Sequence, residues 1–183
     1  DHRDLHYPLR RQRQMCIRDR DFSDLVIDEH RENEWIVGYI TESSIHAQVN
    51  GLVTHGDSLD VRFVKDACDT GNLLTYVYSM ANHPKILQLE DQYVSAKFMG
   101  EEIIARILFT QPFLGGHRSI IDLGWIPLED LTQILLRQDP IKMRFLDSED
   151  IKITEYFDIA ENSWSNRGLL DALLRASSMC GSL

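Results

Sequence analysis

Along residues 34 to 113 apolar and polar side chains alternate with a period of two. "EWIVGYITES" places Trp35, Val37 and Tyr39 on one parity, and "SIHAQVNGL" repeats the pattern with Ile45, Ala47 and Val49. "SLDVRFVKD" sets Leu59, Val61 and Phe63 against Asp60, Arg62 and Val64, the signature of a strand with one core side and one wetter side. "LLTYVYSMA" and "YVSAKFMG" add β-branched and aromatic runs, and "EIIARILF", "HRSIIDL", "IKMRFLD" and "IKITEYFDI" supply further candidate strands. Turn chemistry separates these runs: "NG" at 50 and 51, "HGD" at 55 to 57, "DTGN" at 69 to 72, "NHP" at 82 to 84 and "LGGH" at 114 to 117.

Two segments break this period and follow the helical one. In "PLEDLTQILLRQD" Pro127 opens a first turn carrying Glu129 and Asp130, and Leu128, Leu131 and Leu135 recur at helical spacing, predicting a helix over about 127–138. In "SNRGLLDALLRASSMCG" Ser165 is the expected N-cap, and Leu169, Leu173, Ala176 and Cys180 form a stripe, predicting a second helix over about 166–179. The fold class expected is therefore α+β: a β-rich antiparallel sheet or sandwich carrying two helices.

Composition narrows the function more than the fold. The 183 residues are 43% hydrophobic and 26% charged, with a net charge of -10. Residues 1 to 20 hold six Arg and three Asp, a balance of +3, so residues 21 to 183 carry -13. A body so acidic repels phosphate backbones, and it lacks any run of Lys and Arg interleaved with aromatics, so no nucleic-acid partner is expected. No apolar stretch approaches the roughly 20 residues of a membrane-spanning helix, so no transmembrane segment is expected.

The first 20 residues need their own account. Arg10, Arg11, Arg13, Arg18 and Arg20 could be read as a basic arm, yet the stretch has no periodicity and almost nothing to bury. The string "RDLHYPLRRQRQMCIRDR" resembles a peptide that recurs at the ends of metagenomic reading frames, where sequencing-adapter DNA is translated in frame. That resemblance implies a non-native or disordered segment, a single domain over 21–183, and a native start, with any signal peptide, lost from view. Excluding Cys16 leaves Cys68 and Cys180, an even pair. A disulfide between them would close a loop of about 110 residues, and two buried free thiols are the alternative. Cys180 lies on the buried stripe of the final helix, from which a sheet cysteine is within reach once the Cα atoms approach to about 7 Å.

Motifs that suggest catalysis fail on context. "GDSL" at 56 to 59 is the four-letter string of a hydrolase family whose serine is the nucleophile, making Ser58 a candidate. In that family the serine leads into a helix and works with a histidine near the C-terminus, whereas Ser58 leads into a strand and no histidine follows His117. His117 in "GGHRS" is a candidate base, but a Gly-Gly turn ahead of a strand explains it as well. His46, His55, His83 and His117 lack the spacing of a metal set, and no Walker or dinucleotide-binding glycine pattern occurs, so neither metal nor cofactor is expected. Trp164 in "NSWSN" is the remaining candidate, either packed on the sheet while Ser165 caps or presented as an interaction platform.

"CDTGNLLTYVYS", "YVSAKFMG" and the closing "GLLDALLRASSMC" resemble, in spacing and character over residues 60 to 180, small secreted bacterial proteins such as the periplasmic accessory proteins of type VI secretion. The resemblance implies a Cys68–Cys180 bridge, a periplasmic or secreted location, and a non-catalytic role in binding a protein or envelope component. Two other classes stay open: a small hydrolase using Ser58 or His117, and an intracellular regulatory domain with cytoplasmic thiols.

Overall fold

The computed structural model describes residues 29–54, 56–80 and 85–183. The expected segment 1–20, His55, His83 and the "NHP" turn lie outside the described residues. The ten described strands are β1 (Glu29–Glu32), β2 (Trp35–Thr41), β3 (Ser44–Asn50), β4 (Ser58–Val64), β5 (Ala67–Ser79), β6 (Tyr93–Phe98), β7 (Glu101–Phe113), β8 (Gly116–Pro127), β9 (Ile141–Leu146) and β10 (Glu161–Trp164). Helix α1 spans Leu128–Leu136 and α2 spans Leu169–Cys180. All strand pairs are antiparallel, in the order β1-β2-β3-β4-β5-β8-β7-β6-β9-β10. The fold is thus the β-rich α+β class that the alternation predicts, as one sheet.

That sheet curls until its far edge meets its middle. Gly51, just past β3, pairs with Trp164 of β10, and the Leu52 amide donates to the Ser163 carbonyl at 2.8 Å. One face therefore becomes an interior. The parity that begins with Trp35, Val37, Ile45, Ala47, Leu59, Val61 and Phe63 points inward, joins Ala96, Ala105, Ile107, Ile121, Ile141 and Trp164, and is solvent-free. Burial of this apolar surface at roughly 25 cal/mol per Å² is the main force closing the sheet.

Helix α2 lies along this inner face of β1 to β5. Leu169, Leu173, Ala176 and Cys180 are all buried, as the stripe predicts. Its start differs from expectation. Gly168, at φ 85°, is the cap, and Ser165 instead accepts a hydrogen bond from the Arg167 amide at 3.2 Å. A Cβ at Gly168 would collide with the Glu32 carbonyl oxygen, so the close approach to the β1–β2 turn, rather than side-chain capping, selects glycine. At its other end the Cys68 and Cys180 sulfurs sit at disulfide-bonding distance with Cα atoms 5.6 Å apart, and Ser177 Oγ donates to the Cys68 carbonyl at 2.7 Å.

Three further expectations need correcting. "IKITEYFDI" is not a strand: Ile153–Glu155 forms a 3-10 turn, because Ile153 and Phe157 both turn into the core, with Phe157 stacked on Phe145 at 5.0 Å. The wetter side expected of β4 is dry at Asp60, which is 1% exposed. Trp164 is fully buried, with its neighbour strand on one side and Gly51 on the other, so it packs as a core residue and is not an interaction platform.

Candidate functional site

Strand register decides which chemistry-bearing residues meet. Ser58 lies opposite Tyr76 and Asn50, on the outer face of the sheet. His117 lies opposite Ser79 and Pro112, on the inner parity shared with Ser119 and Ile121. The two candidates are separated by the sheet itself. Ser58 is 2% exposed, and its hydroxyl accepts from Gln48 Nε2 at 2.9 Å. A nucleophile needs a base within hydrogen-bond reach, and no described histidine offers Ser58 one.

The outer face does assemble a histidine and a carboxylate that sequence reading leaves unconnected. His46 Nδ1 and Asp60 Oδ2 are 2.7 Å apart, diagonal neighbours on β3 and β4. Beside them Arg62 Nη2 donates to the Tyr76 hydroxyl at 3.1 Å, and the Arg118 guanidinium lies 4.7 Å over the Tyr76 ring. Burial, followed by the nearby Asp60 carboxylate, pushes the Tyr76 phenol up to about 12. His46 Nε2, Asp60 Oδ1 and Arg62 Nε are buried with no hydrogen-bond partner. The His46–Asp60 pair has the orientation of a base and its positioning carboxylate, but Nε2 is closed off from solvent. Ser58 is level with Asn50, four residues along from His46, a separation of about 13 Å. The pair therefore organises the face and has no reacting group to serve.

A second buried carboxylate, Asp57, has a different task. It is 0% exposed, accepts from the Tyr78 amide at 2.7 Å and from Asn162 Nδ2 at 2.6 Å, and its carbonyl accepts from the Gly51 amide at 2.5 Å. One residue thereby ties the β3–β4 connection to β5 and to β10, at the seam where the sheet closes on itself. Burial raises its carboxyl to about 6 against the lowering effect of the Tyr78 and Asn162 hydrogen bonds. The "HGD" turn chemistry expected at this position is real, but its larger consequence is long-range.

Away from these buried groups the outer face carries a stripe of large exposed side chains. Tyr93 on β6 is directly opposite Arg106 on β7, Ile104 lies two residues back on the same face, and Trp125 stands on the outer parity of β8, opposite Asn72. Tyr93, Ile104 and Trp125 are each more than half exposed. Arg106 stands among them, paired with Asp91 at 2.7 Å. Alternation could not pick out Ile104, because "EEIIARI" puts isoleucine on both parities; only the pairing of Ala105 with Val94 shows which one is outside.

Elsewhere a shallow depression of about 340 Å³ is lined by Lys85, Gln88, Gln92, Asp150, Lys152 and Glu155. Leu89, Ile151 and Tyr156 complete its lining, so it is a mixed polar and apolar surface depression rather than an enclosed pocket. Among the described residues no cluster of three or more His, Cys, Asp or Glu side chains could hold a metal ion, and no helix is long and apolar enough to cross a membrane. Comparison with family models, with curated proteins and with solved structures gives no match, so the reading of this chain rests on its own geometry.

Proposed function

We propose that this chain is an exported, non-catalytic interaction domain that docks a protein or envelope component through the outer face of β6, β7 and β8. The observation that carries the reading is the exposed Tyr93, Ile104 and Trp125 on the outer face of β6, β7 and β8, with Arg106 beside Tyr93. Tyr, Trp and Arg dominate binding energy in protein interfaces, and a rigid sheet presents them with little ordering cost. Bonding distance between Cys68 and Cys180 supports an oxidising compartment, such as the bacterial periplasm or the exterior. Separation of Ser58 from His117 across the sheet weighs against the hydrolase alternative.

The test is site-specific photo-cross-linking from position 104 in the exported chain. A discrete adduct that disappears in Trp125→Asp, with a Cys68–Cys180 linked peptide in the same preparation, is the expected result. Ester hydrolysis abolished by Ser58→Ala, or two free thiols in the stable folded protein, would overturn the reading in favour of an enzyme or an intracellular domain.

A further inference from the structure

The outer face of the sheet is dry over one half and bare over the other. On β2 to β5 the outward residues Gly38, His46, Ser58, Asp60, Asn72 and Leu74 are buried, whereas on β6 and β7 their counterparts Tyr93, Lys97, Glu102, Ile104 and Arg106 are exposed. Both helices lie on the opposite face: α2 runs along the inner side of β1 to β5, and Leu131 of α1 stands over Gly71 beside Val61 and Phe63. No described helix therefore accounts for the dry half. A leucine in the middle of an uncovered sheet face keeps water contact at its tip, so Leu74, at 1% exposure, needs a cover.

Strand register marks where that cover crosses. Glu29, the first residue of β1, pairs with Gly38, Gly38 with His46, His46 with Arg62 and Arg62 with Asn72, one row running from β1 to β5. Gly38 leaves this row without a side chain in the interior of β2, where glycine weakens a strand and marks the close approach of another backbone. Along the same row His46 Nε2, Arg62 Nε and, diagonal to His46, Asp60 Oδ1 are buried without a hydrogen-bond partner. A carboxylate oxygen needs a donor and a guanidinium N–H needs an acceptor, and a peptide backbone offers both.

The chain that leads into Glu29 is "DFSDLVID", residues 21 to 28. Extended, these residues reach about 26 Å, and the row from Glu29 to Asn72 spans four strand spacings, about 19 Å. Phe22, Leu25, Val26 and Ile27 supply apolar contact for Leu74 and Ile36, whereas residues 1 to 20, with six Arg against three Asp, would bring like charge to Arg62 and Arg118. We infer that the outer face of β2 to β5 is the docking surface for residues 21–28, which cross it as an extended strap over Gly38 and along the His46–Arg62 row. The strap closes one half of the outer face and leaves the β6–β8 half open, so this contact is independent of the docking reading.

The experiment places a photo-cross-linker at position 25 of the full chain and maps the adducts by mass spectrometry. Adducts within one chain to residues 36–50, 58–64 or 72–76 are expected. Adducts only between copies, adducts only to other segments, or no adduct would overturn the proposal. Diethyl pyrocarbonate labelling of His46 is the second readout: it should be slow in the full chain and several-fold faster in Leu25→Asp with Ile27→Asp. Gly38→Val guards against misfolding, because valine suits a strand while its side chain blocks the backbone approach, and it should speed labelling in the same way at an unchanged melting temperature. His46 labelling unchanged in both variants would show that the sheet covers itself and would overturn the strap.

Discussion

The two ends of this sheet are built from the same kind of turn and treat it in opposite ways. At the end where β4 meets β5, the turn is Lys65–Asp66, with aspartate in the left-handed position at φ 69°, and Lys65 Nζ reaches the Leu183 carbonyl at 2.6 Å. The β6–β7 turn at the same end buries Met99, and the Cys68–Cys180 pair anchors the last turn of α2 close by. Met99, the counterpart of Leu114 at that end, is buried and its sulfur accepts from the Lys142 amide. At the opposite end Leu114, at φ 46°, is exposed with its carbonyl held by the Tyr78 hydroxyl, Leu52 and Val53 are exposed, and the seam combines the Gly51–Trp164 pairing and the Leu52–Ser163 hydrogen bond with the buried Asp57 carboxylate. The difference teaches that one end is held by buried side chains and the Cys68–Cys180 pair, and the other by polar contacts centred on Asp57, Tyr78 and Asp158.

The sharpest way to test this contrast is to remove the anchor of the stable end. Replacing Cys68 and Cys180 with alanine should cost about 4 kcal/mol by the loop-entropy estimate, seen as a large drop in the urea midpoint. A negligible loss would mean that α2 is held by its apolar stripe alone. Next, Met99→Ala should cost about 2–3 kcal/mol, because it empties a packed site while keeping the strained turn.

Asp57 gives the third comparison, through pH. Its folded carboxyl titrates near 6, above the 3.8 expected of a free aspartate, so the folded state holds the proton more tightly than the unfolded chain. Its contribution to stability is fully present below pH 3.8 and is lost as pH rises through about 6, a swing of up to about 3 kcal/mol. Denaturant titrations from pH 4 to 7 should show that slope, and Asp57→Asn should flatten it. The smallest effect belongs to the exposed turn. Leu114→Asn should change stability by under about 1 kcal/mol, in the favourable direction, measured as a small rise in melting temperature. A clear loss there would show that Leu114 packs on the molecule itself and would erase the contrast between the ends.

Much of this architecture is legible in the order of residues. Alternation in "EWIVGY", "SIHAQV" and "SLDVRF" reports which side faces the apolar core, since successive strand side chains face opposite sides, but not that His46, Ser58 and Asp60 on the other side are buried too. The helical stripe from Leu169 to Cys180 is equally plain and α2 buries it, although the helix starts at Leu169 rather than near 166. Where apolar side chains occupy both parities, as at Ile103–Ile104 and Ile120–Ile121, alternation is silent about the face. "IKITEYFDI" misleads for a related reason: β-branched and aromatic residues favour strands, but the core takes Ile153 and Phe157 from a turn instead.

What the sequence determined by itself is local: which residues turn inward, where the helices run, which two cysteines make an even pair, and that the body is acidic. Those follow from side-chain period, turn chemistry and charge, which act over a few residues. The tertiary structure alone decided that Ser58 and His117 stand on opposite faces, that His46 meets Asp60, and that Asp57 locks β10 to β5. Each of these depends on register and strand order, which are set by how the whole apolar face closes into one interior, and a one-residue slip in any pairing would reverse them.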